Sequence, residues 1–288
     1  MQRSVAQIVP TTWTTDGEGI PVGRPFPSRS LSIFDPFLLL DNFRADIPPG
    51  EPQGFPDHPH RGFETVTYVL EGRMEHRDSF GHEGQIGPGD VQWMTAGVGV
   101  VHSELTEPGF SRQGGRLYGF QLWVNLPARD KLMQPRYQEV PARRIPVAQN
   151  ADGTVAVKVI AGEALGARAV IETRTPIIYL HYDLQPGAQV VQAVPYEYNA
   201  FVYVISGEGS FGADGRRGAP GDMLLFDNQG DEISLAAATP LSLLLIAGLP
   251  LNEPVARYGP FVMNTEAEIR QAFADYRAGL MGRIEPLH

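Results

Sequence analysis

The chain has 288 residues, a length that suits about two domains of ordinary size. Its formal net charge is −10 and it has no run of basic residues that would follow a phosphate backbone, so direct binding to nucleic acid is disfavoured. Cysteine is absent, which excludes disulfides, iron-sulfur clusters and thiolate zinc sites. Any metal ion must therefore be held by histidine, carboxylate or water.

Membrane association is also disfavoured. The first residues lack the apolar core of a secretory signal, and the apolar run at 241–251 is too short to cross a bilayer. We therefore expect a soluble, cytoplasmic protein.

The first half of the chain reads as a β structure. Between residues 63 and 124, short β-prone runs at 65–70, 91–95 and 117–124 alternate with Gly and Pro turns, which predicts a compact antiparallel barrel or sandwich. Residues 127–146 carry charge and four prolines, as is typical of a connector. These features predict two domains, 1–140 and 141–288.

The second half repeats the pattern of the first. The run YVISG at 203–207 matches YVLEG at 68–72 with an offset of 135, and PGDM at 220–223 matches PGDV at 88–91 with an offset of 132. Two matched blocks in the same order indicate an internal duplication.

The end of the chain predicts one helix. Thr265 and Glu268 form a capping-box pattern, and apolar residues follow at helical spacing until Gly279. We expect a closing helix at about 265–278.

Five of the seven histidines lie between residues 58 and 102. His58 and His60 are two residues apart, so in an extended segment both imidazoles point to one face, and His102 and Glu104 repeat this spacing. Side by side, the two segments would supply three imidazoles and a carboxylate, a donor set suited to Fe(II), Cu(II), Ni(II), Mn(II) or Zn(II). Four ligands leave positions open for a substrate or O2.

These residues resemble a known family. The segments HPHRGFETVTY at 58–68, GPGDVQWMTAG at 87–97 and HSE at 102–104 closely resemble the pirin family of the cupin superfamily, and segments 33–37 and 259–265 extend the likeness. The resemblance implies an all-β fold of two antiparallel cupin (jelly-roll) barrels in tandem with a short C-terminal helix. It also implies one metal ion in the N-terminal barrel, Fe(II) by preference, with Cu, Ni, Co, Mn or Zn as alternatives. The implied ligands are His58, His60, His102 and Glu104.

Three further positions near the predicted site carry expectations. Glu64 has the strand parity of His58, and a general cupin pattern would make it a ligand. The pirin resemblance favours Glu104 instead, and leaves Glu64 beside the ligands or as a surface or structural carboxylate. We expect His76 and His82 on an exposed or mouth-lining hairpin rather than on the metal, and one of them could hydrogen-bond a substrate at the mouth of the pocket. One of the neighbours Trp93 and Met94 should face the barrel interior.

The second barrel is expected to bind no metal. Applying the repeat offsets to the four ligands gives positions without imidazole, namely Ala193, Pro195, Ser234 and Ala236. His181 is expected to be a hydrogen-bonded residue of the sheet.

The resemblance implies two functions of different class. Bacterial proteins of this kind are associated with quercetin dioxygenase activity, in which O2 opens the heterocycle of a flavonol and CO is released; Glu104 is then the candidate general base. The alternative is a non-enzymatic, iron-dependent protein that senses redox state and modulates a partner enzyme or transcription factor. In both cases we expect a monomer, with a small aromatic substrate and O2, or a protein, as its partner.

Overall fold

The computed structural model describes residues 1–285, and its regular structure is mostly extended. The strands of the first half are β1 (Val5–Pro10), β2 (Thr12–Asp16), β3 (Ile20–Phe26), β4 (Phe37–Ile47), β5 (Gly54–His60), β6 (Phe63–Glu71), β7 (Met74–Asp78), β8 (Glu83–Ile86), β9 (Val91–Thr95), β10 (Val100–Thr106), β11 (Gly115–Asn125), β12 (Arg136–Val140) and β13 (Val147–Gln149). Helix α1 (Pro108–Gln113) and 3₁₀ turns at Ala128–Asp130 and Ala142–Arg144 connect them.

The remaining strands are β14 (Val155–Ala161), β15 (Glu163–Ala164), β16 (Ala167–Arg168), β17 (Ile177–Leu184), β18 (Gln189–Ala193), β19 (Asn199–Ser206), β20 (Gly209–Phe211), β21 (Arg216–Gly218), β22 (Asp222–Phe226), β23 (Glu232–Ala237), β24 (Leu241–Gly248), β25 (Ala256–Tyr258) and β26 (Phe261–Met263). Helix α2 (Glu266–Arg277) follows them and begins with the predicted capping box between Thr265 and Glu268. In residues 1–285, no helix is long and apolar enough to span a bilayer.

The turn before β9 shows how the local sequence sets a strand boundary. Gly89 has φ +85°, and Asp90 accepts a hydrogen bond from the backbone N–H of Gly87 at 2.8 Å. Glycine adopts this φ without strain, and a carboxylate that bonds a nearby N–H stabilises the turn. The Pro-Gly-Asp motif therefore ends one strand and begins the next, as predicted.

The strands form two barrels of the same topology, which confirms the all-β fold and the duplication. The first barrel has a seven-stranded antiparallel sheet in the order β12-β9-β6-β11-β4-β3-β2 and a four-stranded sheet in the order β5-β10-β7-β8. The second barrel repeats both, as β1-β22-β19-β24-β17-β14-β13 and β18-β23-β20-β21. Strand for strand, β6 corresponds to β19, β9 to β22 and β10 to β23.

The division of the chain differs from the predicted continuous domains 1–140 and 141–288. The second barrel contains residues 1–12, 25–36 and 143–251, and the first contains 13–24, 37–142 and the described residues from 252 on. The reason is strand pairing between distant segments: β1 pairs with β22 and takes the edge position that β12 holds in the first barrel. The internal boundary lies close to the predicted residue 140, but each terminal segment belongs to the other half's barrel.

Arg3 anchors the N-terminal segment to the second barrel through buried hydrogen bonds. Its guanidinium is fully buried and donates hydrogen bonds to the backbone oxygens of Pro195 (2.6 Å), Tyr198 (2.7 Å) and Gly230 (3.0 Å). Arginine's fixed fork of donors suits these three carbonyls, two from the connection between β18 and β19 and one from that between β22 and β23.

We expect Arg3→Met to lower the free energy of unfolding by about 2–4 kcal/mol, because these buried carbonyls lose their donor. Urea denaturation followed by circular dichroism measures the change. Arg29→Met, at an exposed position of the same barrel, is the matched control and should shift stability by less than about 0.5 kcal/mol. Equal shifts in the two variants would contradict the anchoring role of Arg3.

Candidate metal centre

Three of the predicted ligands meet inside the first barrel. His58 and His60 lie on β5 and His102 lies on β10, where it is directly opposite His58 in the antiparallel ladder. One ligating nitrogen from each of the three imidazoles lies within 4.8 Å of the others. Their ring centroids are 4.3 to 4.9 Å apart. The alternation of side chains along the two strands therefore produces the convergence that the spacing predicts.

The state of these imidazoles fits a metal ion. His60 and His102 are buried; the backbone of Pro260 hydrogen-bonds His60, and among residues 1–285 neither ring nitrogen of His102 has a hydrogen-bond partner. Burial, and then the neighbouring His58, lower the pKa of both residues well below the usual value, so they are neutral and their lone pairs are free. Buried polar atoms without partners are costly, and neutral imidazole is the form that binds metals.

His58 is oriented by the backbone. Its Nδ1 lies 2.7 Å from the carbonyl oxygen of Pro56, which accepts a hydrogen bond from the Nδ1–H tautomer. This tautomer leaves Nε2 with a free lone pair, the usual arrangement of a metal-binding histidine whose other nitrogen is fixed by a carbonyl.

Glu104 lies beside the three histidines and is held by the opposite sheet. Its carboxylate is buried and accepts hydrogen bonds from Thr67 Oγ1 at 2.9 Å and from Gln121 Nε2 at 2.9 and 3.1 Å. Trp123 Nε1 donates to Gln121 Oε1 at 3.1 Å and so fixes which end of the amide faces Glu104. The residues whose ligating atoms lie within 4.8 Å of one another are the three histidines, without Glu104. The role of Glu104 as fourth ligand stays a prediction.

Glu64 is a structural carboxylate on the other face of the seven-stranded sheet. It lies opposite Thr95 in the ladder, and the Thr95 hydroxyl donates to it at 2.6 Å. Thr67, which faces Glu104, has the opposite parity on the same strand. The parity counted from His58 fails because β5 ends at His60 and the chain turns at Gly62 (φ +87°) before β6 begins. The expectation that Glu64 lies beside the ligands was therefore wrong.

Of the two hairpin histidines, His82 is exposed as expected, whereas His76 is buried inside the barrel. His82 is exposed, and its Nδ1 lies 2.9 Å from Asp78 Oδ2. His76 is only 2% exposed and lies on the inner face of β7, directly opposite Glu104 in the ladder. Its ring centroid is 5.2 Å from that of His102. Burial lowers the pKa of His76, while the charges of Glu104 and Asp78 act in the opposite direction.

The sequence around His76 contains a pattern that predicts its burial. Met74, His76 and Asp78 alternate along β7 with buried side chains, so one face of the predicted hairpin had to point inward. Two charged residues between them concealed that pattern.

Aromatic side chains form the wall next to the histidines. Phe63 and Trp123 pack with ring centroids 4.3 Å apart, and each lies about 5 Å from the His60 ring (5.0 and 5.1 Å). Met94 lies opposite Thr65 in the ladder and shares this inner face, whereas Trp93 faces the other side of the sheet. The expectation that one of the two faces the interior is confirmed.

Tyr137 was missed by the sequence reasoning because it lies in the predicted connector, which forms edge strand β12. Its hydroxyl donates to Met94 Sδ at 3.0 Å, and its ring centroid is 4.8 Å from that of His76. Burial, reinforced by the charge of Asp78, raises the pKa of Tyr137, so the hydroxyl keeps its proton.

The second barrel places different residues at the corresponding positions. On β18 and β23 the buried, inward residues that match the four predicted ligands are Gln192, Val194, Ile233 and Leu235. The offsets predicted Ala193, Pro195, Ser234 and Ala236, each one residue further along, because the connections between the matched blocks and these strands differ by one residue in length between the two barrels. Neither set offers an imidazole or a carboxylate.

His181 is a buried residue of the second barrel's sheet, as expected. Its Nε2 lies 2.8 Å from Ser242 Oγ, and burial lowers its pKa to about 4.

Comparison with known proteins agrees with this architecture. Residues 19–124 match the family model for pirin, and residues 179–282 match the pirin C-terminal cupin domain. A pirin-like protein of Solanum lycopersicum is 46% identical over 283 residues, which cover 97% of this chain and 93% of that protein. Pirin of Homo sapiens is 45% identical over 271 residues, covering 91% and 88%.

Solved structures show the same fold. A quercetin 2,3-dioxygenase from Acinetobacter baumannii has a TM-score of 0.93 at 37% identity and covers 99% of this chain and 100% of its own. The bacterial pirin YhhW from Escherichia coli, in complex with nickel(II), has a TM-score of 0.66 at 22% identity, with coverage of 85% and 98%, a likeness of fold alone. Both domain matches and the similarity along nearly the whole chain lead to one conclusion: this chain belongs to the pirin family and consists of two cupin domains in tandem.

Proposed function

We propose that this protein is a metal-dependent dioxygenase that opens the heterocycle of quercetin or a related flavonol with O2 and releases CO. The observation that carries the proposal is the convergence of three imidazoles, two of them buried and neutral, beside a buried carboxylate. The similarity to a quercetin 2,3-dioxygenase at 37% identity over nearly the whole chain supports the substrate class.

His58, His60, His102 and Glu104 would hold one divalent ion, with Fe(II) as the proposed metal. When bound, that ion supplies Lewis acidity toward the substrate's 3-hydroxyl and an electron path toward O2. The protein's part is to present neutral imidazoles without rearrangement, because their burial keeps protons off the ligating nitrogens.

Glu104 is proposed to take the proton of the 3-hydroxyl. Its Oε1 accepts hydrogen bonds from both Thr67 and Gln121, whereas Oε2 accepts one, from Gln121. Because Glu104 would also bind the ion, one of its two oxygens would bind the metal and the other would take the proton. Thr67 and Gln121 keep the carboxylate in place during the transfer.

The flat rings of the substrate are proposed to lie against the wall formed by Phe63 and Trp123. These rings adjoin His60, and aromatic faces of this kind bind planar, mostly apolar ligands.

The histidine cluster makes a first prediction about metal content. His102→Ala should lower metal affinity roughly tenfold or more, because it removes a directly ligating imidazole. Metal per chain after dialysis is measured by mass spectrometry, with circular dichroism to verify folding. His82→Ala, an exposed histidine of the same barrel, should keep full metal content, and equal retention by both variants would show that the site lies elsewhere.

Glu104 allows a second prediction. In protein that retains its metal, Glu104→Gln should lower kcat by about 10²–10⁴ because the proton acceptor is lost. Thr67→Val removes one hydrogen bond to Oε1 and leaves Oε2 in place, so its kcat should fall far less. A Glu104→Gln variant with full metal and unchanged kcat would contradict the assignment of the base.

The reaction itself is tested by reconstitution. Protein loaded with Fe(II), Cu(II), Ni(II), Co(II), Mn(II) or Zn(II) is mixed with quercetin in air, and quercetin absorbance and CO release are followed. At least one form should exceed the rate of the free metal. If every form fails, the dioxygenase proposal is rejected, and comparison of proteins captured by the ferrous and ferric forms then tests a redox-sensing role.

A further inference from the structure

His76 is a buried polar group at the metal centre that the proposed mechanism leaves unused. It is 98% buried, and within the described part of the chain no hydrogen bond is made to either of its ring nitrogens. Buried polar atoms are almost always hydrogen-bonded in folded proteins, to protein groups or to something bound.

The groups that face His76 are committed to other partners. Glu104 is held by Thr67 and Gln121, and the Tyr137 hydroxyl donates to Met94. Asp78 accepts from the backbone N–H groups of Phe80 and His82, and its Oδ2 lies 2.9 Å from the His82 ring. None of these groups hydrogen-bonds His76, so its imidazole is available to a bound molecule.

The position of His76 indicates what its partner would be. Across the four-stranded sheet, β5 carries His58 and His60, β10 carries His102 and Glu104, and β7 carries His76. Adjacent strands are about 4.8 Å apart, so His76 lies one strand beyond the metal ligands, on the side of Glu104. A ligand oxygen bound between the histidines and Glu104 would bring an oxygen on the next carbon toward His76.

We propose that His76 hydrogen-bonds the second of two oxygen atoms on adjacent carbons of the substrate, and so selects planar 3-hydroxy-4-keto compounds over analogues with one of these oxygens. This inference rests on the proposed function, since it assumes that a flavonol-like ligand binds at the three histidines. Tyr137 is a positioning residue in this arrangement, because its ring packs on the His76 ring at 4.8 Å.

The second barrel suggests the substitution for a test. The position that corresponds to His76, opposite Leu235 in the ladder, is occupied by the fully buried Phe211. A phenyl ring therefore fits this place in the fold, and His76→Phe removes the hydrogen bond while filling the volume. His76→Gln keeps a donor and an acceptor, and His82→Phe is the matched control on the same hairpin.

The experiment measures binding without turnover. Ni(II)-loaded protein is titrated under nitrogen with 3-hydroxyflavone, which has both oxygens, and with flavone, whose single exocyclic oxygen would take the place at the histidines and leave none for His76. Metal per chain is measured for every variant. Wild type and His82→Phe should prefer 3-hydroxyflavone. His76→Phe should weaken binding of 3-hydroxyflavone roughly tenfold and leave flavone unchanged, and His76→Gln should recover part of the loss.

Three results would overturn the inference: unchanged binding of both ligands by His76→Phe, equal weakening of both, or a wild type that does not distinguish them. If wild type prefers 3-hydroxyflavone but produces no CO from quercetin in air, the dioxygenase proposal fails. The role of His76 in ligand recognition is then still decided by the ratio of the two dissociation constants.

Discussion

The pairing of β5 with β10 is the constraint on which the metal centre depends. It places His102 opposite His58 and directs three imidazoles to one face, and a slip of one residue would turn His102 to the other face. The strands approach closely where β5 begins: a Cβ on Gly54, which has φ +150°, would lie 2.4 Å from the carbonyl oxygen of Glu104. Glycine at this position lets the ladder form next to the site, so a residue without a side chain maintains the register of the ligands.

The two barrels show how one topology supports two interiors. In the first, the inner face carries His60, His76, His102 and Glu104, which are all buried. In the second, the matching places belong to an apolar cluster, and at the position of His58 stands Gln192, which accepts a hydrogen bond from Tyr182 at 2.6 Å. Burying polar groups is unfavourable unless they are paired, so the apolar interior of the second barrel contributes more to stability than the histidine-lined interior of the first.

The features that the sequence predicts well are those set by residues close together in the chain. The period of two along an extended segment is enough to put His58 and His60 on one face of β5, and the Pro-Gly-Asp turns and the capping box at Thr265 are read from neighbouring residues. The failures are nonlocal or depend on a single irregular residue. A turn at Gly62 reverses the parity of Glu64, connections of different length in the two barrels shift the repeat offset by one, and the partner of β1 lies more than two hundred residues away.

Trp123 links the aromatic wall to the proposed base. Its ring packs against both Phe63 and His60, and its Nε1–H donates to Gln121 Oε1, which directs the amide N–H groups toward Glu104. Thr67 and Gln121 therefore present Glu104 with donors, a setting that suits a carboxylate acting as acceptor. The surface proposed to bind the substrate's rings and the orientation of the group proposed to take its proton thus depend on one side chain. Such coupling holds a reacting group in place only while the wall beside it stays packed.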